Sequence, residues 1–84
     1  MVDRAFGRVL GRLRKQRGLS QEALGYEAGL HRTYISQLER GIKSPSLRTV
    51  HKIATLFEIS IGNLMSLVEQ ELKQGRQDVP PYEG

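Results

Sequence analysis

The run from Gln21 to Leu38 restricts the fold more than any other part of the chain. Leu24 and Ala28 stand four apart on one helical face, Gly29-Leu30 interrupts the pattern, and Ile35 and Leu38 resume it. Two short helices that share one small apolar wedge must cross at a steep angle. A close crossing requires a tiny residue beside the buried Leu24, and Gly25 is there. The tight turn requires a residue that accepts positive φ, and Gly29 supplies it. Leu30 follows as a turn residue pointing inward. Leu24, Gly25, Ala28, Gly29, Leu30, Ile35 and Leu38 therefore form one geometric set, a helix, a tight turn and a second helix.

The flanking segments read as helices as well. Phe6, Val9, Leu10 and Leu13 recur at helical spacing, with Arg8, Arg12 and Lys15 on the opposite face and Gly18 as a stop. Ser20 is placed to cap the next helix, with Glu22 in its first turn. The third helix is expected from about His31 to Arg40, stopping at Gly41, and residues 42–46 form a loop. Val50, Ile53, Ala54 and Phe57 mark a fourth helix. Ser60 caps a fifth, whose stripe is Ile61, Leu64, Met65, Val68 and Leu72. No segment alternates as a strand would, and there is no internal repeat. The expectation is an all-α domain of five helices over residues 1–74, followed by a disordered tail over 75–84, where Pro80-Pro81 and a lack of periodicity oppose packing.

Charge narrows the function. The chain of 84 residues fits one domain and carries a net charge of +4. Residues 1–43 hold nine bases against four acids, residues 44–84 four bases against five. A one-sided positive field favours polyanions, nucleic acid before an anionic membrane surface. Catalysis has little to work with. There is no cysteine, the aspartates Asp3 and Asp78 lie near the termini, and His31 and His51 lack a third ligand at metal spacing. No cofactor and no small-molecule ligand is called for. No apolar run reaches the roughly 20 residues that cross a bilayer, and no apolar stretch follows the N-terminal arginines, so a signal peptide is not expected. A cytoplasmic protein follows. The basic amphipathic first helix admits a membrane-surface reading, but its apolar residues are needed for the core of so small a domain.

Residues 8–65 resemble the phage-repressor and Cro family of helix-turn-helix regulators, the Xre-like group. The carrying residues are Leu-Ser-Gln-Glu-Ala-Leu at 19–24, Ala-Gly-Leu at 28–30, Tyr-Ile-Ser-Gln-Leu-Glu-Arg-Gly at 34–41 and Pro-Ser-Leu at 45–47. The run from His31 to Ser36 is most similar to the small controller proteins of restriction–modification systems. The resemblance implies a lambda-repressor-like domain of bacterial or phage origin, with residues 31–40 as the helix that enters the major groove of double-stranded DNA. The residues themselves support this. With Ile35 and Leu38 buried, Arg32, Thr33, Ser36 and Gln37 face outward, and those side chains suit base edges. Tyr34 is either a stacking contact to the DNA or a cover for Ile35. The resemblance assigns phosphate contacts to Gln21, which also braces a recognition side chain, and to Arg40, Lys43 and Ser44. It also implies an ion pair between Arg14 and Glu39 that joins the first helix to the third. Arg8, Arg12, Lys15 and Arg17 read as a solvated face, and His31 as a weak helix cap.

One such helix reads only four or five base pairs, too few to pick a site from a genome, so a homodimer on a pseudo-palindromic operator is expected. Leu67 widens the apolar surface of the fifth helix beyond its main stripe. Ile61, Leu64, Met65, Leu67 and Val68 are read as the dimer interface, with Leu67 as a core filler the competing account. The rival function is a protein-interaction module, antitoxin-like or partner-dependent, whose DNA binding is non-specific alone.

Overall fold

Three serines start three of the helices. The Ser20 hydroxyl accepts from the Ala23 N–H at 2.9 Å, that of Ser46 from Thr49 at 3.1 Å, and that of Ser60 from Asn63 at 2.9 Å, so each side chain satisfies one donor that the first turn leaves open. The computed structural model describes residues 1–74, and the expected disordered tail over 75–84 lies outside them. The helices are α1 (Val2–Gln16), α2 (Gln21–Ala28), α3 (Arg32–Glu39), α4 (Leu47–Leu56) and α5 (Ile61–Gln74), and among the described residues every regular element is helical. None of these helices is long and apolar enough to cross a membrane.

Leu10, Leu24, Ile35, Leu38, Ile53 and Leu64 meet in one core, each fully buried, with Phe6, Val9, Val50, Ala54, Phe57 and Val68 around them. Every helix contributes. α1 lies across the bundle, packed mainly on α5 and α3, while α2 packs on α3. Leu64 and Val68 thus belong to the core of their own chain, which corrects their assignment to a dimer interface: at 0% and 3% exposure they have almost no surface to offer a second copy. α5 keeps Ile61, Met65 and Leu67 half-buried beside that core.

The crossing of α2 and α3 is as tight as its sequence implies. A β-carbon at Gly25 would stand 2.4 Å from the Leu30 carbonyl oxygen, inside any real contact distance, and Gly29 makes the turn at φ 70°. A second glycine crossing escapes sequence reasoning. A β-carbon at Gly7 would stand 2.4 Å from the Leu38 oxygen and 2.5 Å from that of Glu39, so α1 rests directly on the C-terminal backbone of α3.

The basic face of α1 is not the plain solvated face expected. Arg12 donates to Glu71 of α5 at 3.1 Å, with Arg8 3.7 Å from the same carboxylate. Arg17 pairs with Glu58 at 3.3 Å and lies over the Phe57 ring, 5.6 Å from its centre. The arginines of these pairs stay 39–48% exposed, so each pair is worth at most about 1 kcal/mol.

Candidate functional site

α3 has two faces of opposite character. Ile35 and Leu38 point into the core with no exposed surface, whereas Arg32, Thr33 and Arg40 are exposed and Ser36 and Gln37 half-buried. The helix is shorter than its sequence suggests, because His31 stands before it as the cap and Arg40 after it. The His31 Nδ1 accepts from the Thr33 N–H at 3.1 Å, in place of the usual hydroxyl or carboxylate. A groove of 650 Å³ runs between the start of α2 and the outer face of α3, lined by Arg14, Ser20, Gln21, Glu22, Arg32, Thr33 and Ser36. Three of the expected base-contacting residues, Arg32, Thr33 and Ser36, and one expected phosphate contact, Gln21, therefore share one surface. Arg32 is held only loosely, 3.8 Å from Glu22 with two thirds of its side chain exposed.

Under the groove lies a polar network that fixes α3 against α1 and α2. Arg14 grips Glu39 with two hydrogen bonds, Nε to Oε2 at 2.6 Å and a terminal nitrogen to Oε1 at 3.0 Å, and donates from its other terminal nitrogen to the Leu19 carbonyl at 2.8 Å. Both side chains are about nine-tenths buried, at 11% exposure. The hydrogen bond to Glu39 raises the Arg14 guanidinium above its ordinary value, against a smaller opposing effect of burial, so it stays charged at any working pH. The Gln21 carboxamide donates to Glu39 Oε1 at 3.1 Å. Gln21 thus braces the carboxylate of α3 with one of its two amide hydrogens and still lines the groove. The same network removes the one carboxylate of α3 from the outer surface.

Tyr34 is half-buried against the core, its hydroxyl 3.5 Å from the Thr49 hydroxyl of α4, which favours packing over the free stacking surface also considered. Beyond α3, the Gln37 carbonyl accepts from the Ile42 N–H at 3.0 Å and the Lys43 N–H at 3.4 Å, and Gly41 turns at φ 74°. The loop so anchored presents Lys43, with Arg40 at its root. Ser44 differs from expectation: its hydroxyl donates to Asp3 Oδ1 at 2.8 Å and is engaged within the chain. Among the described residues none of Arg4, Arg40 or Lys43 has a carboxylate within ion-pair distance, unlike Arg8, Arg12, Arg14 and Arg17. Arg4, Arg40 and Lys43 stand where the α3–α4 loop meets the first turn of α1. Sequence reasoning missed that meeting. Its one signal was Gly41, where a β-carbon would stand 2.6 Å from Arg4 Cγ and 3.0 Å from its Cα.

A helix-turn-helix family profile matches residues 10–64. Control protein C.MunI of Mycoplasma sp is 39% identical over 67 residues, covering 79% of this chain and 90% of its own. The restriction-modification controller protein C.AhdI of Aeromonas hydrophila superposes with a TM-score of 0.70 at 40% identity, covering 74% of this chain and 94% of its own. The controller protein C.Esp1396I, solved as a tetramer on its natural operator, is 26% identical with a TM-score of 0.76, covering 86% of this chain and 95% of its own.

Proposed function

The chain belongs to this helix-turn-helix family, and from that premise we propose that it is a small transcriptional regulator that binds double-stranded DNA sequence-specifically through α3. The outward polar face of α3, rigidly backed by the Arg14–Glu39–Gln21 network, carries the reading. Arg32 suits the O6 and N7 acceptors of guanine, Gln37 an adenine edge, and Thr33 a thymine methyl, while Lys43 and Arg40 face the phosphates. The likeness to a controller protein solved on its operator supports the same assignment.

Selection of bound duplexes from a random pool at about 0.15 M salt, where loose surface attraction is screened, tests it. An enriched sequence is the expected result. A folded protein that enriches nothing would leave the partner-dependent interaction module as the better account. Arg32→Ala or Gln37→Ala is expected to weaken the selected sequence by about 1–3 kcal/mol while leaving random DNA and folding nearly unchanged. Equal losses on both duplexes would remove the base-reading role. Lys43→Ala is expected to weaken all sequences alike and to make the dependence of log affinity on log salt shallower by about one, as loss of one phosphate contact requires. An unchanged slope would show that Lys43 meets no phosphate.

The reading extends to a two-fold dimer joined through α5, now narrowed to Ile61, Met65 and Leu67. Two copies would set their α3 helices about 34 Å apart on one side of B-DNA and read an inverted repeat. An inverted repeat among the selected duplexes supports it, and a single half-site opposes it.

A further inference from the structure

We infer that Asp3 limits how tightly the α3–α4 loop grips a DNA phosphate, by holding the Ser44 hydroxyl and placing a negative charge beside the loop that carries Arg40 and Lys43. The inference rests on the DNA-binding reading and adds to that interface a residue of α1, an element given no DNA contact above. Two independent observations place Asp3 there. Its carboxylate accepts from Ser44 at 2.8 Å, and the adjoining Arg4 packs against Gly41 so closely that no side chain fits between them. The first turn of α1 and the loop are one surface.

A hydroxyl has one hydrogen to donate, and that of Ser44 points to a carboxylate. A phosphate oxygen that approaches the neighbouring Lys43 meets this carboxylate as a like charge, and it gains the Ser44 hydroxyl only by displacing it. In the free protein Asp3 also sits in the first turn of α1, where its charge favours the helix dipole, so the residue is held in place by the fold it serves. The arrangement weakens contact with the DNA backbone without touching α3. Backbone contacts are indifferent to sequence, so Asp3 lowers affinity for all duplexes together and leaves base discrimination to Arg32 and Gln37.

Asp3→Asn isolates the charge, since the carboxamide oxygen still accepts from Ser44. A unit charge about 6 Å from a phosphate near a wet surface corresponds to a change of about 3- to 10-fold in affinity. The variant and the unaltered protein are to be titrated against a random-sequence duplex and a selected duplex at about 0.1 M and about 0.5 M salt. Asp3→Asn is expected to bind both duplexes about 3- to 10-fold tighter at the lower salt, with the gain closing at the higher and the ratio between duplexes unchanged. Should thermal melting show a frayed first turn, Asp3→Ser, which keeps a neutral acceptor, is expected to give the same gain. No tightening at low salt, or a gain that persists undiminished at high salt, would overturn the inference alone. Failure of the unaltered protein to bind any duplex would overturn the DNA-binding reading and this inference with it.

Discussion

Glu39→Ala is expected to lower stability by about 3–5 kcal/mol, the cost of leaving a buried guanidinium without its partner. Arg14 is only 11% exposed and makes two of its three hydrogen bonds to the Glu39 carboxylate. Removing the carboxylate strands the positive charge between α1 and α3 and leaves the Gln21 amide without its acceptor. The bridge is also what seats the C-terminal end of α3, so the loss should extend to DNA binding. Chemical denaturation with and without duplex measures both. The pair itself is a different quantity from the damage of breaking it. An Arg14→Met, Glu39→Leu double substitution removes both charges and is expected to recover most of the stability, because neither ion then needs solvation. A single substitution costing under about 1 kcal/mol would mean that water reaches Arg14 and that the bridge behaves as a surface pair.

What the sequence disclosed follows from the range over which each residue acts. Ser20 and Ser60 cap helices through donors three residues away, and Gly29 turns on its own φ, so local chemistry was enough to place them. Gly25 was legible for the same reason, its obstacle being the Leu30 carbonyl just past the turn. Gly7 was not, although it faces an equally close carbonyl, because Leu38 lies on another helix and nothing near Gly7 announces it. The arginines of α1 follow the same rule. Periodicity put Arg8 and Arg12 on a polar face, but only the fold brings Glu71 across to them. On α5, spacing identified an apolar stripe without revealing what covers it, and Leu64 and Val68 proved to be covered by their own chain. The outward set on α3 was legible since burial of Ile35 and Leu38 dictates what faces away. The engagement of Ser44 by Asp3 and of Gln21 by Glu39 was not, since both depend on where separate elements meet.

Leu38→Ala separates the two jobs that α3 performs, and its cost is expected in the range of about 2–5 kcal/mol. Leu38 has no exposed surface, and α1 rests on its backbone through Gly7, so the space left by the side chain cannot close without moving that crossing. A domain of this size holds roughly 5–15 kcal/mol in all, so the variant should melt far below the unaltered protein. Its recognition side chains are untouched, because Arg32, Thr33 and Gln37 sit on the opposite side of the helix. Binding draws on the folded population only. Duplex supplied at about a hundredfold over the dissociation constant is therefore expected to return about 2.7 kcal/mol and much of the melting temperature. Arg32→Ala should show the converse, an unchanged melt in the absence of DNA and less protection than the parent at the same duplex concentration. If Leu38→Ala melted like the parent, α3 would not be held by this contact, and the rigid backing of the recognition face would have to come from the Arg14–Glu39 bridge alone. If it melted low but gained nothing from duplex, the core and the reading face would be coupled, and the separation argued from the two faces of α3 would fail.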